Sequence, residues 1–117
     1  MIFIIDDDKI MAECVSRAVG DVDKIRFFDN AIEAMNEIAS GVMPKLIFLD
    51  ILLNGPDGFT FLNEMVSYKD TAQIPVVVIS SLDFGVDNLE MYGVVGILNK
   101  DTMLPKEIKE YAQKYAK

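Results

Sequence analysis

The chain has 117 residues, 51% of them hydrophobic and 26% charged, with a net charge of -8 and no histidine. That balance supports one domain spanning 1–117 around a single core and argues against a disordered or fibrous chain. Apart from a few at the C-terminal end the lysines are scattered, so no basic stripe is offered to a phosphate backbone and no direct nucleic-acid partner is expected.

Short apolar runs alternate with longer segments of helical period. The first run, "IFII" (2–5), is rich in β-branched and aromatic residues and reads as a strand. No basic segment precedes it and three aspartates follow it, which argues against a signal peptide or membrane span and leaves the cytoplasm as the expected compartment. Asp6, Asp7 and Asp8 repel one another at neutral pH, so crowding at least two of them at a strand end calls for a cation. A helical stretch follows, with Ile10, Met11, Cys14, Val15, Ala18 and Val19 on one stripe and Gly20 placed to end it. Cys14, the single cysteine, cannot close an intramolecular disulfide and reads as a small buried hydrophobe.

"KIRFF" (24–28) is the second strand. The next helix starts at Asp29 or Asn30, either able to cap, with Glu33 three residues beyond Asn30 and Ala31, Met35 and Ile38 facing inward. "LIFLD" (46–50) ends the third strand on Asp50, and "NGPDGF" (54–59) supplies turn residues. Gly58 opens a helical run in which Phe61, Leu62, Met65 and Val66 repeat. "PVVVIS" (75–80) ends the fourth strand on Ser80, with Ser81 beside it. The fourth helical stretch, 84–92, is the weakest, since Gly85, Asp87 and Asn88 lower helix propensity, and it is expected to be mobile. "VVGIL" (94–98) leads to Lys100, and the last helix has Pro105 near its first turn with Leu104, Ile108, Tyr111 and Tyr115 at helical spacing. Met11, Met35, Met65 and Met91 read as core filler.

Five strands alternating with five helices predict a parallel sheet covered on both faces, a doubly wound α/β sandwich. In such a sheet the ligand site lies beyond the carboxyl ends of the strands, which places Asp6, Asp7, Asp50, Ser80 and Lys100 on one rim. Converging carboxylates raise one another's pKa or draw in a hard cation. Mg²⁺ suits this set, and calcium is disfavoured because no loop carries the spaced oxygens of an EF-hand. A hydroxyl and an ammonium facing that cation can bind two oxygens of a tetrahedral anion, as a phosphoryl group on a carboxylate requires.

"FIIDDDK", "LIFLDILLNGPDGF", "VVVISS" and "GILNK" together resemble the receiver domain of the two-component response regulators, over nearly the whole chain. The resemblance implies the flavodoxin-like strand order 2-1-3-4-5. It implies Asp50 as phosphoacceptor, Asp6 and Asp7 as the acidic pair with Asp7 the direct metal ligand, and the backbone carbonyl of Leu52 as a further ligand. Ser80 and Lys100 would bind phosphoryl oxygens, Mg²⁺ would be the cofactor with Mn²⁺ able to replace it, and Asp8 would start the helix, favoured by its dipole. A sensor histidine kinase or phosphotransfer protein would supply the phosphoryl group. A downstream protein would read the face shared by the fourth helix, the fifth strand and the last helix.

The chain also departs from the family pattern. Ile97 stands where receivers commonly have an aromatic ring. Asp101 stands where they usually have a cis-proline, and since a non-proline cis bond costs about 3 kcal/mol the lysine loop is expected to follow another path. The stretch 80–100 is a couple of residues short. Leu52 and Leu82, each two residues beyond a site residue, are expected to border the phosphoryl group and hinder the attacking water. The expected activity is transfer to and from the chain's own Asp50, with no external substrate. No output segment follows Lys117, so a stand-alone or excised receiver is expected. The rivals are a degenerate receiver that binds partners without phosphorylation, encouraged by Ile97 and Asp101, and a haloacid dehalogenase-like phosphatase, which would want an aspartate where Leu52 stands. A flavodoxin-like cofactor binder shares the fold but lacks a glycine-rich phosphate loop here.

Overall fold

The computed structural model describes residues 1–51, 58–81 and 89–116. Five strands, β1 (Ile2–Ile5), β2 (Ile25–Phe28), β3 (Leu46–Asp50), β4 (Val76–Ser80) and β5 (Val94–Asn99), pair in parallel in the order β2-β1-β3-β4-β5. The expected doubly wound sheet is therefore present. Period-2 alternation sorts the apolar residues of the strands onto two faces. Phe3, Ile5, Ile47, Leu49, Val76 and Val78 pack on the side of α2 (Ala31–Ala39) and α3 (Gly58–Val66). Ile2, Ile4, Leu46, Phe48, Val77 and Ile79 pack on the side of α1 (Lys9–Val19) and α4 (Pro105–Ala116).

Local chemistry sets the helix ends. Asp8 caps α1, its Oδ1 accepting the N–H groups of Ile10 (3.0 Å) and Met11 (3.2 Å), and Gly20 closes the helix with φ +67° and its N–H on the Ser16 carbonyl. Of the two candidates for the start of α2, Asn30 is the cap, accepting from Glu33 N–H at 2.9 Å. Pro105 is the first residue of α4, and Glu107 Oε1 reaches back to Leu104 N–H at 2.8 Å.

Several inward positions read from the sequence differ. Cys14 is exposed, as is Ile10 at 76%. The stripe that α1 buries against the sheet and α4 is Ala12, Val15 and Val19, and Cys14 lies about 100° round the helix from Val15, outside it. Met91 is 75% exposed, since it sits in the one-turn 3-10 helix Glu90–Tyr92, which is too short to present an inward face. Leu104 precedes α4 and is half exposed, while Ile108, Ala112 and Ala116 carry the buried stripe. Among the described residues there are four α-helices. Of the fourth helical stretch, 84–88 lie outside the described residues, as do 54–57 of the turn after β3.

Gly58 starts α3 where the chain returns over β3, and its N–H donates to the Ile51 carbonyl at 3.1 Å. A Cβ there would lie 2.6 Å from Ile51 Cα and 2.9 Å from its carbonyl oxygen, closer than non-bonded atoms tolerate. Gly58→Ala is expected to destabilise the fold by about 1–3 kcal/mol, read as a lower urea midpoint at unchanged slope. An unchanged midpoint would show that α3 can retreat from β3 without loss.

Candidate functional site

The strand register assembles the site. Ile5 pairs with Leu49, so Asp6 and Asp50 follow side by side at the ends of β1 and β3. Asp50 pairs with Ile79, which places Ser80 one step further at the end of β4, and Ser80 pairs with Asn99 at the end of β5. Lys100 then donates its backbone N–H to the Ser80 carbonyl at 3.0 Å. Asp6, Asp50 and Ser80 are the buried polar residues among those described, at 6%, 4% and 1% exposure. Everything else sealed in the sheet is apolar, so these three mark where the fold admits polarity.

The carboxylate oxygens of Asp6, Asp7 and Asp50 lie within 4.8 Å of one another, with Asp7 the least buried of the three. Lys100 reaches in from β5, its Nζ 3.1 Å from Asp50 Oδ2 and 3.9 Å from Asp6 Oδ2. Asp8 turns away to cap α1, while its backbone N–H donates to Asp6 Oδ1 at 2.9 Å. The triple aspartate thus divides into two residues for the cluster and one for the helix.

Burial pushes the Asp6 carboxyl up to about 6. The Asp8 N–H and the Lys100 charge work against that rise, and Asp50 adds to it. Burial also disfavours the Lys100 ammonium, but its hydrogen bond to Asp50 and the charges of Asp6 and Asp50 outweigh this and hold its pKa above the ordinary lysine value. Three carboxylates facing one ammonium leave a surplus of negative charge. The donors are all hard oxygens, the set that suits Mg²⁺ or Mn²⁺ rather than a thiophilic ion. With such an ion beside Asp50, the arrangement can neutralise an oxyanion placed against a carboxylate.

The structure brings together Asp6, Asp7, Asp50 and Lys100 and puts the buried Ser80 at the adjoining strand end, whereas Ser81 is exposed. Leu52, with its carbonyl, and Leu82 lie outside the described residues. Sequence reasoning passed over Asn99, whose side-chain Oδ1 accepts the Asp101 N–H at 2.8 Å. No peptide bond among the described residues is cis, so the lysine loop takes its own path here, a turn built on Asn99. The signal was available in "NKD", because an asparagine two residues before the bonded N–H is the ordinary side-chain-closed turn.

The family model described as "Response regulator receiver domain" matches residues 2–113. Over 84 residues, 69% of the chain, the sequence is 31% identical to protein-glutamate methylesterase/protein-glutamine glutaminase 3 of Leptospira interrogans, of which it spans 23% of the length. The phosphorylated cyanobacterial phytochrome response regulator RcpA superposes with a TM-score of 0.78 at 24% identity, over 98% of this chain and 92% of that one. The Mn²⁺-bound form of response regulator Rcp1 gives 0.72 at 24% identity, over 97% and 88%. Both superpositions show the same fold.

The raised pKa of Asp6 has a consequence for the metal-free protein. The folded chain holds a proton there up to about pH 6, while the unfolded chain releases it near 3.8, so folding loses stability as pH rises through that window. Asp6→Asn, which keeps the acceptor for Asp8 N–H, is expected to stabilise the chelator-treated protein by about 1–3 kcal/mol above pH 6 and to change nothing below about pH 4. Urea denaturation at several pH values checks this, and a gain independent of pH would contradict it.

Proposed function

This chain belongs to the response regulator receiver domain family, and we propose that residues 1–117 form one receiver that works as a phosphorylation switch with Asp50 as the acceptor. The observation that carries the reading is the buried Asp50 carboxylate at the end of β3, with the Lys100 ammonium at 3.1 Å and the Asp6 and Asp7 carboxylates within 4.8 Å. The donor is a phosphohistidine on a sensor kinase or phosphotransfer protein. An Asp50 carboxylate oxygen forms a bond to phosphorus, the bond from phosphorus to the histidine nitrogen breaks, and that nitrogen keeps the electron pair and is reprotonated. The product is an acyl phosphate on Asp50.

Asp6, Asp7 and Asp50, with the Leu52 carbonyl, would hold Mg²⁺ or Mn²⁺, which supplies positive charge to the phosphoryl oxygens and screens the acidic pocket. The manganese ion in Rcp1, a protein of the same fold, supports that choice of ion. Lys100 holds one oxygen of Asp50 before transfer and a phosphoryl oxygen after it, and the Ser80 hydroxyl takes another. The new charge draws Ser80 inward and alters the face formed by β5 and α4. Exposed Met91, Val95 and Leu104 lie on or beside those elements and give a downstream protein apolar anchors. No helix among the described residues is long and apolar enough to cross a membrane, and the cytoplasm is the compartment where the kinase would meet this domain.

Incubation with acetyl phosphate and Mg²⁺ is expected to add one phosphoryl group by intact mass, lost in Asp50→Asn and in the presence of chelator. A folded chain that neither acetyl phosphate nor a competent kinase modifies would support a phosphorylation-independent binding module instead. Lys100→Met separates two roles of the ammonium. It removes a positive charge from beside the carboxylates, so Mg²⁺ affinity measured by calorimetry should rise roughly tenfold. The phosphorylation rate should fall by roughly a hundredfold at saturating Mg²⁺, because a group aimed at the developing charge is gone. Both quantities moving the same way would contradict this division.

A further inference from the structure

Past β5 the chain must reverse within a few residues while keeping Lys100 aimed across β4 at Asp50. Upstream, the Lys100 N–H is fixed on the Ser80 carbonyl at 3.0 Å. Downstream, the Asn99 Oδ1 accepts the Asp101 N–H at 2.8 Å, and the Asn99 carbonyl accepts from Met103 N–H at 2.8 Å and Thr102 N–H at 3.2 Å. Lys100 is thus the single residue between Asn99 and the amide that the Asn99 side chain holds. We infer that Asn99 is a positioning residue, whose side chain closes the turn that presents the Lys100 ammonium to Asp50. This inference rests on the roles given to Asp50 and Lys100 above.

The physical case lies in the length and freedom of the lysine. Its four-carbon stem has many rotamers, and on a side chain that is 19% exposed the ammonium has one short contact at 3.1 Å to Asp50 and a longer one at 3.9 Å to Asp6. Holding the ammonium between two carboxylates therefore depends on where the backbone launches the stem. The Ser80 carbonyl fixes the peptide before Lys100, and the Asn99 side chain is what fixes the peptide after it. The ring it closes needs a carbonyl or carboxylate oxygen on Cγ, which Asn and Asp supply. Gln places its oxygen one methylene further out, and Ala has none. An orphaned Asp101 N–H would turn to solvent and let the Lys100 peptide rotate. Displacement of a charge-stabilising group by about 1 Å is enough to slow the chemistry it serves.

The test reads Lys100 directly and the reaction separately. Limited acylation of lysines in the metal-free protein, followed by peptide mass mapping, compares Lys100 with the exposed Lys106. Phosphorylation by acetyl phosphate with Mg²⁺ is timed on the same samples. In Asn99→Ala and Asn99→Gln, Lys100 acylation should rise roughly tenfold with Lys106 unchanged, and phosphorylation should slow by a similar factor. Asn99→Asp should keep Lys100 protected, because it retains the turn-closing oxygen. Asn99→Gln keeps an amide at the position and serves if the alanine variant folds poorly. Unchanged Lys100 acylation in both variants, or equal exposure in Asn99→Asp, overturns the inference. Acylation that follows the expected pattern in a chain no phosphodonor modifies would confirm the positioning role and overturn the acceptor reading, so the two failures are distinguishable.

Discussion

Two carboxylates, Asp6 and Asp50, are carried into a nearly water-free rim by adjacent parallel strands, and the rest of the site answers that crowding. At an effective dielectric of about 20, like charges about 4 Å apart repel by about 4 kcal/mol, a sizeable fraction of the roughly 5–15 kcal/mol that holds a domain together. The metal-free chain offsets this in two visible ways. Asp6 takes up a proton more readily than an exposed aspartate would, and Lys100 contributes its ammonium to both carboxylates. A divalent cation relieves the same repulsion more completely, which is why the donor set reads as a metal site and not as a structural ion pair. A purely structural pocket would gain more from apolar replacements than from three acids sharing one lysine.

The sheet supplies the precision. The central strands β1, β3 and β4 are sealed on both faces by apolar side chains, so a slip of one residue would exchange the two faces and bury the wrong set. The register that protects the core is therefore the register that aligns Asp6 with Asp50, Asp50 with Ile79 and Ser80 with Asn99. Function here costs the fold little extra specification, because the polar residues are simply the first positions past the apolar runs.

That coupling explains what could be read from the sequence. Strand ends are marked where an apolar run meets a charge, so Asp6, Asp50, Ser80 and Lys100 were legible, and the order of the sheet followed from the resemblance. The division of the triple aspartate was legible too, because Asp8 stands at capping distance from the helix while Asp6 continues the strand. Helix faces were read less well. A periodic apolar stripe does not say how wide a face the sheet will cover, and α1 buries only Ala12, Val15 and Val19, leaving Ile10 and Cys14 outside. Met91 failed for a related reason, since helical spacing carries no meaning in a single 3-10 turn. Asn99 was missed because a side-chain-closed turn has no periodicity and shows itself only through the amide it holds.

The substitutions at 97 and 101 act on different parts of the machine. Ile97 is partly buried and packs on the side of the sheet covered by α2 and α3, so it belongs to the core beneath the pocket. Asp101 belongs to the loop, and its backbone N–H takes part in a bond that a proline at this position could not make. The loop has a second function in the same few residues. The Asn99 carbonyl that holds Met103 belongs to the same peptide group as the Lys100 N–H held by Ser80, and Leu104 is held in turn by Glu107 of α4. A short run of bonded residues therefore joins the two groups suited to gripping an anion to the first turn of the last helix. With Asp101 rather than a proline after Lys100, the Asn99 side chain closes the loop on the Asp101 amide, and the start of α4 belongs to the same run of bonded residues.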